Sequence, residues 1–192
     1  YSIYDTTMMG NTTGGNFRKF FGLQKNVLLV VDRAEYALPT SWRNRFLEQV
    51  GAQGTRILRV VDANQTPKAM ESEIIQTLAV NPVIDSIICT TQNGTCAALR
   101  AVERYGRFVP ILGADFNQEI AQGIYDGTIR ASIVRNSYAY GYMGIENAIR
   151  ILCGQGIAET RTLDALVINS ENLFDPAYAP LLYDITAAPD GD

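Results

Sequence analysis

A chain of 192 residues, 47% apolar and 19% charged, has the size and composition of about one to one and a half globular domains. Its net charge of −4, with basic residues scattered along the chain, argues against non-specific nucleic-acid binding. It contains no histidine, which excludes Ser-His-Asp and Cys-His nucleophile systems and the usual zinc sites, and no apolar run approaches the roughly 20 residues of a membrane-spanning helix.

In chain order, Ile3 to Asp5 reads as a brief strand and Met9 to Phe21 as a helix entered through a Gly/Thr/Asn-rich stretch. The run from Asn26 through Val31 to Asp32 is apolar throughout, as a strand buried on both faces of a parallel sheet requires. Pro39 to Val50 has a helical period, and Arg56 to Asp62 is the next strand. Thr66-Pro67 places an N-cap before a first-turn proline, after which Met70, Ile74, Ile75 and Leu78 recur at helical spacing until Asn81-Pro82. Ile84 to Cys89 is a strand, Thr95 to Tyr105 a helix ended by Gly106, and Val109 to Ala114 a strand. Asn117 to Tyr125 is a helix and Arg130 to Val134 a strand. From Ser137 a long helix reaches Cys153, with Tyr138, Tyr142, Ile145, Ile149 and Leu152 on one face. Leu163 to Asn169 is one more strand, and the segment beyond Phe174, with Pro176, Pro180 and Pro189, is loop.

This alternation predicts an α/β fold, an open parallel sheet with helices on both faces and right-handed crossovers, in flavodoxin-like order. Ligands of such sheets sit outside the carboxyl ends of the strands. The candidates are therefore the polar residues that follow strands: Asp5, Asp32, Asp62, Thr90, Thr91, Gln92, Asn93, Asp115, Arg135 and Asn136. Asp5, Asp32 and Asp62 also suit turns and caps. Asn93-Gly94 suits a turn with Thr95 as the following N-cap, and Asp115 suits a helix cap, although Asn117 is placed to cap that helix itself.

Catalysis finds little to work with. Gly10, Gly14 and Gly15 do not form a G-x-G-x-x-G loop after a strand, and no G-x-x-x-x-G-K-[ST] run is present, so no nucleotide cofactor is expected. Lys19, Lys25 and Lys68 sit in no catalytic motif, and binding is expected over chemistry. Cys89 and Cys153 read as buried thiols. A Cys89–Cys96 bridge stays open for an exported protein, while their spacing is not C-x-x-C.

Residues 84–115, from Ile-Asp-Ser-Ile-Ile-Cys to Ile-Leu-Gly-Ala-Asp, and residues 127–144, Gly-Thr-Ile-Arg-Ala-Ser-Ile-Val-Arg-Asn onward, resemble the second half of ribose- and galactose-type periplasmic binding proteins. Leu166-Val-Ile-Asn-Ser-Glu-Asn resembles that group's C-terminal strand. Ile3-Tyr-Asp-Thr-Thr with Gly10 resembles the point where such a chain first crosses to its second lobe.

The resemblance implies a non-catalytic clamp of two lobes that closes on a small sugar or polyol and presents it to an ABC permease, in the periplasm or another extracytoplasmic space, with no cofactor. It implies residues 1–134 as the C-terminal, ligand-binding lobe. Residues 135–192 would be a hinge crossing, return helix, last strand and tail of the other lobe, whose first part is absent. By position in the group's pattern, Asp115 accepts sugar hydroxyls and Arg135 stands at the polar position leading out of the next strand, where Gln is usual. Thr91 with Gln92, or Gln92 with Asn93, supplies the polar pair after the preceding strand, and Asp5 and Asn136 mark the hinge. The group's Arg on the helix after the second strand of the lobe falls on Thr40 here, with Trp42 and Arg43 close by, and its aromatic before the next helix falls on Ala63. Trp42 suits either a stacking face for a pyranose ring or the core.

The helix from Ser137 would expose its Tyr/Ile face unless the missing first half of the polypeptide or a second copy covers it. Two other contexts share the pattern: the effector domain of a LacI-type repressor, which would be cytoplasmic and dimeric, and the sensing domain of a membrane receptor. A start at Tyr1 fits a processed product or an excerpt of a longer one.

Overall fold

The computed structural model describes residues 6–32, 42–135, 137–156 and 165–178. Six strands, β1 (Asn26–Val31), β2 (Arg56–Asp62), β3 (Ser86–Cys89), β4 (Ile111–Ala114), β5 (Ile129–Val134) and β6 (Leu166–Asn169), form one sheet in the order β2-β1-β3-β4-β5-β6. The first five are parallel, and β6 runs antiparallel along the outer edge of β5. Side chains of a strand alternate between faces, and β1 shows what that does in a doubly covered sheet. Val27, Leu29 and Val31 enter the core on one face, Leu28 and Val30 the core on the other.

On the first face lie α1 (Thr6–Phe21) and α2 (Trp42–Val50). Gly10 and Gly14, one turn apart on α1, set their spacing. A Cβ on Gly10 would stand 2.6 Å from the Cβ of Arg45 and one on Gly14 2.6 Å from the Cβ of Gln49, so only glycine lets the two helices approach this closely. Beneath that contact Phe17 stacks on Phe21 and meets Phe46 edge-on at 5.5 Å.

The second face carries α3 (Pro67–Val80), α4 (Gln92–Tyr105) and α5 (Gln118–Tyr125). Thr66 caps α3 as its sequence announces, with Oγ1 accepting the Ala69 N–H, and Asn117 caps α5 by accepting the Ile120 N–H at 2.8 Å. The start of α4 differs from expectation. Thr91, not Thr95, is its N-cap, and Asn93-Gly94 lies inside the first turn. Gly94 fits there because its missing Cβ would stand 2.9 Å from Thr91 Oγ1 and 3.0 Å from Val30 Cγ1, a packing demand that overrides the turn preference of the dipeptide.

β6 corrects a second expectation. The last strand, expected in a second lobe, pairs within this sheet: Leu166 lies opposite Val134 and Asn169 opposite Ala131 along its outer edge. A short apolar run carries no mark of the sheet it will join, and only the open edge of β5 decides it. The long helix α6 (Ser137–Leu152) falls between β5 and β6 in sequence, with Tyr142, Ile145, Ile149 and Leu152 all exposed. No helix among the described residues is long and apolar enough to cross a membrane.

Candidate ligand-binding site

The connection from β1 goes to β2 on one side and the chain then returns to β3 on the other, so the strand order reverses between β1 and β3. A parallel sheet opens a crevice at the carboxyl end of such a reversal. Asp32 follows β1 there, Thr90 to Asn93 follow β3, and Asp115 and Arg135 follow β4 and β5. The chain also passes this edge repeatedly. It leaves β5 at Arg135, and because Leu166 lies opposite Val134 it returns beside the same point. Helix α1 descends to the start of β1, so its first turn at Thr6 stands at that edge too.

Asp115 and Arg135 are drawn into one unit. The Arg135 guanidinium approaches the carboxylate as a fork, with Nε donating to Oδ1 at 2.8 Å and the second nitrogen to Oδ2. The Asp115 side chain is 18% exposed and that of Arg135 38%, so the pair stands at the rim, where it contributes geometry more than stability. A carboxylate offers about four lone-pair directions. The fork takes one on each oxygen and leaves acceptor capacity for hydroxyl donors.

The backbone at Asp115 is unusual. Its φ of 60° is left-handed, which costs a residue other than glycine on the order of 1 kcal/mol or more. The Asp115 N–H still joins the ladder, donating to Ile133 O at 2.9 Å, while its carbonyl accepts from Ser132 Oγ at 2.6 Å. Asp115 therefore caps nothing, and its carboxylate is aimed along the edge at Arg135.

Thr91 lies next to this unit. The Thr95 hydroxyl donates to Thr91 O at 2.9 Å and accepts the Ala114 N–H at 3.0 Å, so one side chain bridges the start of α4 and the end of β4. Gln92 and Asn93 are exposed in the first turn of α4, where backbone N–H groups and the helix dipole face the edge. Thr90 Oγ1 is shielded without a hydrogen-bond partner, a deficit of about 1–3 kcal/mol.

The structure moves other candidates away. Trp42 is only 7% exposed, stacks on Phe46 with centroids 5.1 Å apart, and donates from Nε1 to Thr13 Oγ1 at 3.0 Å. Its ring is part of the α1–α2 core, which corrects the expectation of a sugar-stacking face. Asp62 serves its own turn by accepting the Asn64 N–H at 3.1 Å. Asp5, Asn136 and Thr40 lie outside the described residues.

Sequence reading missed Thr95 and Ser132, both fully buried and both bonded to the backbone around Asp115. The one signal for Ser132 is a hydroxyl set among the apolar residues Ala131, Ile133 and Val134.

Cys89 and Cys96 are buried free thiols, and burial pushes both above their ordinary pKa. Cys153, expected to be buried, is exposed at the end of α6. The helical period there marks a face, and nothing in the sequence says that the face is covered.

This edge is that of an α/β lobe carrying a carboxylate–guanidinium pair and no glycine-rich phosphate loop. The chain belongs to the periplasmic binding protein domain family, whose pattern matches residues 1–156.

Solved structures agree on the fold. The substrate-binding protein of a sugar ABC transport system from Bordetella parapertussis superposes with a TM-score of 0.80 at 18% identity, over 96% of this chain and 62% of that one. A solute-binding protein of an ABC transporter from Agrobacterium vitis, bound with α-D-tagatopyranose, gives 0.80 at 19% identity, over 94% and 61%. The glucose-galactose binding protein GanP from Geobacillus stearothermophilus gives 0.77 at 19% identity, over 88% and 61%. The chain thus spans less than two thirds of the length of these proteins. Among curated proteins no sequence matches.

Proposed function

We propose that this chain is the ligand-holding lobe of a two-lobe solute-binding protein that takes up a small sugar or polyol without catalysis and presents it, by hinge closure, to an ABC permease outside the cytoplasm. The observation that carries the reading is the Asp115–Arg135 fork at the edge where the chain also leaves and re-enters the sheet. A sugar ring offers adjacent hydroxyls, each donor and acceptor. One donates to an open lone pair of Asp115 while its neighbour accepts from the Arg135 guanidinium, and charge-assisted bonds are the stronger kind. Thr91, Gln92 and Asn93 line the other side. The adjacent passages at Arg135 and Ala165, with Asp5 and Asn136 in the connecting segments, make the hinge.

On this reading residues 135–164 are an excursion into the other lobe, and the remainder of the polypeptide covers the exposed face of α6. The length of the neighbours, of which this chain spans about 60%, supports that occupant. Two of the neighbours described are binding proteins of ABC transport systems, which favours the transport context over a repressor or receptor domain.

The test is a thermal-shift panel of pentoses, hexoses and polyols, because a ligand that binds only the native state raises its melting temperature. One or more sugars should raise it, and Asp115→Ala should remove that rise while leaving the unliganded transition in place. A sugar response that survives Asp115→Ala would overturn the assignment of the site.

A further inference from the structure

The end of β4 is held by more than its ladder. Ser132 and Thr95 are 0% exposed, so neither hydroxyl can touch a ligand at the edge. Both are nonetheless turned onto the backbone at the end of β4, Ser132 onto the Asp115 carbonyl and Thr95 onto the Ala114 N–H one peptide earlier. Thr95 Oγ1 accepts the Ala114 N–H at 3.0 Å and lies 3.2 Å from Ala114 O, with Thr91 O at 2.9 Å as its nearer acceptor. Ser132 Oγ donates to Asp115 O at 2.6 Å.

Room for this clamp comes from Gly113, which lies opposite Ser132 in the register of β4 and β5. A Cβ there would stand 2.7 Å from Thr95 Cγ2 and 3.2 Å from Ser132 Oγ. The left-handed φ of Asp115 explains why the hydroxyl is needed. It turns the peptide that follows the ladder bond from Asp115 N–H to Ile133 O, and the Asp115 carbonyl there accepts the Ser132 hydroxyl. Without the Ser132 hydroxyl the carbonyl would lose this bond, and the backbone would relax toward an ordinary conformation that swings the carboxylate away from Arg135.

We propose that Ser132, assisted by Thr95, is a positioning residue for the ligand carboxylate: it stabilises the left-handed Asp115 backbone and thereby presets the Asp115–Arg135 fork before ligand arrives. This rests on the sugar-binding reading for its functional consequence, but the preset fork is a property of the unliganded chain. The two claims are therefore separable by experiment.

Two readouts are taken on the 192-residue chain. The first is solvent exchange of the Arg135 Nε–H proton, followed by NMR without ligand. The second is affinity for D-galactose, D-allose and D-tagatose by titration calorimetry. Ser132→Ala should speed the Nε–H exchange and weaken sugar binding by about tenfold, a scale typical of coupling within one hydrogen-bond network. Ser132→Thr, which restores the hydroxyl, should recover slow exchange. In an Asp115→Asn background, Ser132→Ala should cost no further affinity, because the side chain through which it acts is already altered.

Should Ser132→Ala fail to fold, Ser132→Cys keeps the volume with a weak donor and carries the same comparison. Wild-type Nε–H exchange in the Ser132 variant would overturn the proposal even if sugar affinity fell. An equal loss of affinity in both backgrounds would also overturn it, showing a general destabilisation. If no sugar in the panel binds the unsubstituted chain, the sugar reading fails, and the exchange measurement still decides the positioning role.

Discussion

Helices α3 and α6 have the same kind of sequence and opposite fates. In α3 the residues Met70, Ile74 and Leu78 recur one turn apart and are all fully buried against the sheet. In α6 Tyr142, Ile145, Ile149 and Leu152 recur at equivalent spacing and are 61, 66, 55 and 86% exposed. Periodicity tells that a helix has an apolar face. It does not tell whether the surface that buries this face is part of the same 192 residues. The sheet with its five flanking helices completes its own core, whereas α6 leaves the sheet at its carboxyl edge and finds no such cover.

The largest expected effect attacks the self-sufficient side of that contrast. Phe46→Ala should cost about 3–5 kcal/mol in urea unfolding, because the side chain is fully buried between Phe17 and Trp42 and the cavity cannot collapse easily. A loss under about 1 kcal/mol would show that the α1–α2 layer is not packed as described. On the other side, Ile145→Glu combined with Ile149→Lys should change the stability of this chain by no more than about 0.5 kcal/mol, the range of surface substitutions. A larger loss would mean that α6 is seated on something. Gel filtration of the unsubstituted chain then tells whether that something is a second copy.

The smallest effect is chemical. A thiol reagent on the native protein should label Cys153 and spare Cys89 and Cys96 until unfolding, because both are buried and burial raises their pKa, leaving little thiolate to react. Early labelling of Cys96 would show that the start of α4 opens in the native state.

Much of the sheet was legible in advance, and the reason is local. Val27 to Val31 has no polar interruption because both of its faces are covered, and Thr66-Pro67 declares a helix start through capping chemistry that needs only neighbouring residues. The errors fall where the deciding partner is distant in sequence. Asn93-Gly94 looked like a turn, and Val30, more than 60 residues earlier, makes it the first turn of α4. Trp42 suits ligand or core by sequence, and Thr13 and Phe46 take it into the core. Asp115 and Arg135 were both readable as edge residues. That they grip each other, and that Ser132 holds the backbone which makes this possible, was not.

The sequence by itself determined the α/β alternation, the parallel sheet and the polar edge, because hydrophobic period and capping act over a few residues. Tertiary structure alone decided which face of each helix is covered, which edge β6 joins, and that Asp115 adopts a left-handed backbone beneath a guanidinium fork. Those outcomes depend on contacts such as Gly113 with Thr95 and Ser132, where a methyl group's worth of space on one strand sets the conformation of the residue two positions on.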